Sequence, residues 1–406
     1  MIDANRGDDV SLRGAAMQSR LRRGSPAAQV GRKVRPRWRA AVVVALTAAA
    51  MGLSACGSGG SSSASSDVQG SGTTKGNGAL LMVFMPSTSN VYLKAAAGAI
   101  KTEAASLNYK VKIVENNWDQ TEQDQQVQQW LGTGEKASAV LFWPASAAAA
   151  TNSIRQLAAK APVFQWNQAI QKDAEKYVTA YAGVSDIGIG KQAGENALAA
   201  LDKAKADGMQ FHGPGGKPNL LEIRFTAGYA AGDDRHTAFV DATKDAFNVL
   251  AVEPTPTVDA QGGFAAASQV VPQHLKDGID FVYAHSNDVG NGVVQALEQN
   301  GLKPGKDVIV IAGTSSGDLT NLRSKKIWSA TLQPPVIEGT LIVDTAARYL
   351  ASGKLQDGDF TLPEDANKPE LSTDSPYHQT FMMNPEVTSA NIDTLKIWGL
   401  SFAQMN

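Results

Sequence analysis

Two stretches carry residue types that could do covalent or cofactor chemistry. Gly313-Thr314-Ser315-Ser316-Gly317 sets a serine in a Gly-x-Ser-x-Gly frame between an apolar run and a helical pattern. In hydrolases that context exposes a nucleophilic hydroxyl, and Ser315 would be the nucleophile. A base must then come from later in the chain, where His378 is the one histidine, in a polar stretch. The plainer reading is a Ser/Gly-rich binding loop at a strand end. Gly188-Ile189-Gly190-Lys191-Gln192-Ala193 meets a loose dinucleotide fingerprint, but no strand ending in an acid follows at the required distance. Its glycines are better explained by close packing. The five histidines show no zinc spacing with Cys or Glu, so neither a metal nor a cofactor is expected.

Other residues suit recognition. Trp143 closes an apolar run just before Pro144 and is a candidate cleft aromatic. His285 stands at another strand end and could line a cleft, while Asp288 reads as a cap of the helix that follows. Trp118, Trp130, Trp328 and Trp398 read as packing residues.

Cys56, the sole cysteine, excludes an intramolecular disulfide. Ahead of it lie a basic segment ending in Arg35-Pro36-Arg37-Trp38-Arg39, an apolar run from Ala40 to Ala50, and Leu53-Ser54-Ala55. Basic, apolar, then small residues is the layout of a secretory signal, with an apolar run too short for a comfortable membrane span. Leu-Ser-Ala-Cys looks like a bacterial lipobox, so residues 1–55 are expected to be a lipoprotein signal and Cys56 the lipid anchor at the outer face of the cytoplasmic membrane. The basic region is long for such a signal, and Met17 is an alternative start. The Gly/Ser-rich stretch 56–78 reads as a flexible tether.

The formal net charge of -2 hides an asymmetry. Ten of the 37 Lys and Arg, against three acids, fall within residues 1–39, which leaves the remainder near -9. A body that acidic has no basic face for phosphate backbones, so nucleic acid is not expected as a partner.

The elements that must hold these residues alternate. Apolar runs at Leu80–Met85, Lys110–Glu115, Ala139–Trp143, Val163–Trp166 and Tyr177–Ala182 read as strands. Helical patterns at Tyr92–Leu107, Asp119–Leu131 (Thr121 as N-cap) and Ser146–Ala159 separate them. A second series has helices at Gly188–Lys205, Asp234–Phe247, Gly263–Leu275, Val289–Asn300 and Leu319–Ser324. Its strands are Asn219–Phe225, Val249–Glu253, Phe281–Ala284 and Val308–Ala312. Such alternation implies α/β architecture: two doubly wound parallel-sheet lobes, with ligands beyond the carboxyl ends of the strands. Ile337–Ala351 reads as a helix, 354–380 as a polar loop, Phe381–Met383 and Val387 as extended, and the segment after Asn391 as a short closing helix.

The order of motifs resembles the ribose-binding-protein family of periplasmic sugar receptors, related to the sensor domains of lac-type repressors. The pieces are Gly98-Ala99, Ile189 to Glu195, Arg235-His236-Thr237-Ala238-Phe239, Asn287-Asp288, and Gln333-Pro334-Pro335-Val336-Ile337-Glu338-Gly339. The resemblance covers about residues 79–353 and resumes near 381–395. It implies a type I periplasmic-binding-protein fold, with lobes at 79–184 and 185–333 joined by a three-segment hinge. Residues 334–353 and the C-terminal segment would complete the first lobe, and 354–406 would hold the polar loop, the last crossing segment and the closing helix.

For the site it implies Ser89, Asn90, Val91 and Tyr92 on a first-lobe ligand loop, and Trp166, Asn167 and Gln168 after the fourth strand. Arg235 and Asn287 would come from the second lobe, and Gln333 would lie at a crossing. Thr314 stands where the family has an Asp, and Asn167-Gln168 where it has Asp-Arg. Amides and a guanidinium satisfy sugar hydroxyls, and rings such as Tyr92, Trp143 and Trp166 pack on sugar C–H faces. The missing carboxylates argue against ribose itself.

The expected function is that of a monomeric solute-binding lipoprotein which carries a monosaccharide or sugar alcohol to the permease and ATPase of an ABC importer. A receptor for a membrane signalling partner and a Ser315 hydrolase are the alternatives. A repressor is not expected, because lipobox and tether occupy the place of a DNA-binding head.

Overall fold

Leu81-Met82-Val83-Phe84-Met85 is fully buried at every position. A strand covered by helices on both faces reads as an unbroken apolar run, and this one lies at the heart of a parallel sheet. The computed structural model describes residues 70–354, 370–372, 378–381, 384–397 and 400–406. The signal, Cys56 and tether residues 57–69 lie outside the described residues, as do Met382, Met383 and Trp398. Residues 70–78, expected as tether, are bonded to the body instead: the Ser71 N–H donates to the Leu350 carbonyl at 2.9 Å and the Gly76 N–H to the Leu107 carbonyl at 2.8 Å.

The first series is β1 (Leu80–Pro86), α1 (Val91–Ser106), β2 (Lys110–Asn116), α2 (Gln120–Thr133), β3 (Ala139–Phe142), α3 (Thr151–Ala158), β4 (Val163–Trp166) and β5 (Ala180–Gly183). The second is α4 (Asp186–Ala206), β6 (Asn219–Arg224), α5 (Ala230–Thr243), β7 (Asn248–Pro254), α6 (Ala260–His274), β8 (Phe281–Ala284), α7 (Asn287–Gln299), β9 (Ile309–Ala312), α8 (Thr320–Arg323) and β10 (Ser329–Thr331). Then come α9 (Pro335–Ser352), β11 (Glu370–Ser372), β12 (His378–Phe381), β13 (Glu386–Thr388) and a last helical turn, Phe402–Met405.

The sheets have the orders β11-β12-β5-β4-β3-β1-β2 and β13-β10-β9-β8-β6-β7. Strands β1 to β5 and β6 to β10 thus repeat one parallel 2-1-3-4-5 winding. That winding places a switch point beside β1 and β3 in one sheet, and beside β6 and β8 in the other. The chain passes between the sheets at three places: Gly183 to Asp186, Thr331 to Pro335, and Phe381 to Glu386.

Several expectations shift. Asp119, not Thr121, caps α2, accepting from the Thr121 and Glu122 N–H groups. Helix α3 starts at Thr151 rather than Ser146, and α5 at Ala230 rather than Asp234. The polar segment expected as loop contains β11 and β12, with β12 running parallel to β5. Strands at a sheet's margin are held through backbone bonds and carry little compositional signal, which is why a polar run hides them. The short β10, Ser-Ala-Thr, had no sequence signal at all. The segment after Asn391 forms turns, and the closing helix comes only at Phe402.

Candidate ligand cleft

The residues that line the cleft follow the carboxyl end of a strand, lie in the first two turns of the helix behind it, or lie on a crossing segment. From the first sheet come Asn90, Tyr92 and Leu93 after β1, Trp118 after β2, Trp143 after β3 and Asn167 after β4. Facing them are Phe225, Tyr229 and Arg235 after β6, Val258 after β7, Ser286 and Asp288 after β8, and Thr314 and Ser316 after β9. Gln333 joins them from the second crossing. These groups enclose a cavity of about 60 Å³. It opens into a mouth of about 850 Å³ that shares Asn90, Trp118, Tyr229, Val258 and Asp288 and adds Ser89 and Val91.

Arg235 is the central cation of this cavity. It lies on α5 and is buried. Its Nε donates to Asp186 Oδ1 at 2.8 Å, its Nη2 pairs with the same oxygen at 2.7 Å, and its Nη1 donates to the His285 carbonyl at 2.7 Å. Gln333 Oε1 lies 3.5 Å from Nη2, and the guanidinium stacks 4.8 Å from the Phe225 ring centroid. Gly190 explains how Asp186 and Arg235 meet. A Cβ there would strike the Arg235 backbone, so only glycine lets α4 and α5 come this close. The loose dinucleotide fingerprint is therefore a helix contact. Burial raises the Asp186 carboxyl, and Arg235 opposes that shift.

Below the first-lobe face sits Glu338, fully buried on α9 just past the second crossing. It accepts from the Tyr92 hydroxyl, and from Asn167 Nδ2 at 3.2 Å. Burial pushes its carboxyl up to about 7, against the bonds from Tyr92 and Asn167. Asn167 has φ +65°, and its carbonyl accepts from the Tyr181 hydroxyl at 2.6 Å. Trp118 has φ +61°, rare for a bulky residue, and is fixed there by an N–H bond to Asn116 Oδ1 at 3.0 Å. Strained backbone of this kind clusters at binding sites.

The aromatic rings form a ladder across the cleft. Tyr92 meets Trp143 at 6.2 Å, Trp143 meets Trp118 at 6.2 Å, and Trp118 meets Tyr229 at 6.0 Å, all edge-on. The last pair joins the two lobes.

Of the residues singled out from sequence, Asn90, Tyr92, Trp143, Asn167, Arg235, Thr314 and Gln333 are brought together around the cavity. Ser89 lies at the mouth. Trp166, Gln168 and Asn287 do not line it. Trp166 sits behind Trp143 at 4.8 Å, and Gln168 Nε2 donates to the Pro144 carbonyl. Asn287 Nδ2 donates to the Ser316 and Asp318 carbonyls at 3.0 and 2.7 Å, bracing that loop, and its neighbour Ser286 lines the cavity instead. His285 is buried too: its Nδ1 accepts from the Phe225 N–H and its Nε2 donates to Glu222. Burial pushes its imidazole down to about 4. Ser315 is fully buried, and among the described residues its hydroxyl bonds to no base.

Sequence reasoning passed over Phe225, Tyr229, Ser286 and Glu338, and it read Trp118 as a packing residue and Asp288 as a helix cap, whereas both line the cavity. Glu338 lay inside a quoted motif, and Ser286 and Tyr229 each precede a helix at a strand end. Those positions were the available signal.

A model described as "Periplasmic binding protein domain" matches residues 81–355. The galactofuranose-binding protein YtfQ of Escherichia coli (strain K12) is 26% identical over 220 residues, which span 53% of this chain and 64% of that protein. A Mycobacterium smegmatis protein in complex with β-D-fucofuranose superposes with a TM-score of 0.62 at 19% identity, covering 77% of this chain and 92% of the other. A carbohydrate-transporter solute-binding protein from Agrobacterium radiobacter in complex with D-arabinose gives 0.63 at 18%, covering 78% and 96%.

Proposed function

The chain belongs to the periplasmic binding protein domain family, a family of binding proteins rather than enzymes, and on that premise we propose that it captures one monosaccharide or sugar alcohol between its lobes. In this reading it delivers that solute, as a monomer, to the permease and ATPase of an ABC importer. Lipidated Cys56 holds it at the outer face of the cytoplasmic membrane through the Gly/Ser-rich stretch that follows.

One observation carries the reading. Rings, amides and a guanidinium from both sheets converge on one cavity at the two switch points. Hydroxyls that both donate and accept match Asn90, Asn167, Thr314, Gln333 and the remaining Nη1 N–H of Arg235. Sugar C–H faces match Trp143 and Trp118. Closure then follows from contacts made to both lobes at once, with the three crossings as the hinge. The relatives named above support a sugar as the guest.

A thermal-shift screen of pentoses, hexoses and polyols tests this. A true ligand raises the melting temperature in proportion to the logarithm of its concentration above Kd. If none of them moves it at millimolar concentration, the proposal fails.

A further inference from the structure

The cavity holds two formally charged side chains, and they are treated differently by the fold. Arg235 is matched by the buried Asp186 carboxylate, so the pair is close to neutral. Asp288, on the first turn of α7, lines both the inner cavity and its mouth. The N-cap role expected for it belongs to Ser286, which accepts from the Val289 N–H at 3.2 Å. Among the described residues nothing hydrogen-bonds or ion-pairs with the Asp288 carboxylate. Room for it is made by Gly317, at φ +77°, where a Cβ would collide with Oδ1. The fold thus keeps space for a carboxylate at the ligand boundary and leaves its lone pairs unused.

Resting on the sugar-binding reading above, we propose that Asp288 is the specificity-determining carboxylate of the cleft, accepting hydroxyl protons of a neutral sugar and excluding uronates, aldonates and sugar phosphates. Two hydroxyls of a sugar can reach one carboxylate, and bonds to an ionised acceptor are the strong ones. An acidic sugar would bring a like charge into a small, ring-lined cavity already holding an unmatched anion. The groups that face Asp288 reinforce this. Asp259 caps α6, Asp318 lies in the loop before α8, and both are anions. Burial, with Asp259 and Asp318, pushes the Asp288 carboxyl up to about 6. Arg235, across the cavity, is occupied by Asp186.

Calorimetric titration of the wild type, Asp288→Asn and Asp288→Ala tests the assignment. The probes are D-galactose, D-fucose, L-arabinose, D-ribose and myo-inositol, with D-galacturonate and D-galactonate as the acids. The wild type is expected to bind at least one neutral probe and to bind the acids at least about tenfold more weakly. Asp288→Asn should weaken the neutral hit by about 10- to 100-fold. Affinity in the wild type should rise with pH through about 6 and level off above it, and that rise should be absent in both variants. Far-UV circular dichroism and melting temperature serve as the check on folding. Unchanged affinity in Asp288→Asn, or wild-type binding of an acid as tight as the neutral hit, overturns the assignment while leaving sugar binding intact. If neither these probes nor any pentose, hexose or polyol of the thermal-shift screen binds the wild type, the sugar reading fails and the assignment falls with it.

Discussion

At the scale of single residues, two buried carboxylates flank the cleft and play opposite parts. Burial raises the Asp186 carboxyl, and the Arg235 guanidinium, bonded to it, opposes that shift. Arg235→Ala strands the Asp186 charge, and a loss of about 3–5 kcal/mol is expected in urea unfolding. Removing Asp186 as well should cost less than the sum of the two single losses, since the stranded charge is then gone. Additive losses would show that the pair is not coupled. Among the described residues Glu338 pairs with no cation, and its carboxyl stands at about 7 in the folded protein against an ordinary 4.5. A raised carboxyl favours the folded state while protonated. Its contribution is complete below about 4.5 and is lost as pH climbs through about 7. Between pH 5 and 8 the wild type should therefore lose on the order of 3 kcal/mol relative to Glu338→Gln. A difference that stays flat over that range would contradict this role for Glu338. Trp143 was visible from its place at a strand end, and Tyr92, Arg235 and Gln333 through motifs that resemble those of the ribose-binding family. Trp118 and Tyr229 were hidden because nothing in their neighbourhoods says that two lobes meet there.

At the scale of elements, the helix pair α4 and α5 sets the position of Arg235. Gly190→Ala puts a methyl group against the Arg235 backbone and must push α5 outward. Overpacking of this kind costs about 1–3 kcal/mol, and the shifted guanidinium should also weaken ligand binding. Urea midpoint and calorimetric affinity should fall together; a variant with native stability and affinity would refute the contact. Strand legibility follows burial. β1, β3, β4 and β8 announced themselves because both faces are covered and, apart from Gln165 in β4, every position is apolar. β11 and β12 were hidden in polar sequence, and helix starts drifted by several residues where the residue before the helix was not a capping type. Tyr229 ahead of α5 and Ala150 ahead of α3 make no side-chain cap.

For the whole molecule, the account is of two repeated α/β windings facing one another across a cavity. The alternating pattern made that architecture readable, because parallel sheets need a helix between strands. The cross-lobe contact of Trp118 with Tyr229 should exist only in the closed form, so Trp118→Ala is expected to raise the ligand dissociation rate more than it changes association. Stopped-flow tryptophan fluorescence reads both rates. The most direct measurement of the central claim is a crystal structure with the best-binding sugar. The sugar is expected in the inner cavity, its ring against Trp143, with hydrogen bonds to Asn167 on one side and Arg235 on the other. A sugar seated on one lobe alone, or bound against Arg155 and Lys176 on the outer face of the first lobe, would contradict it.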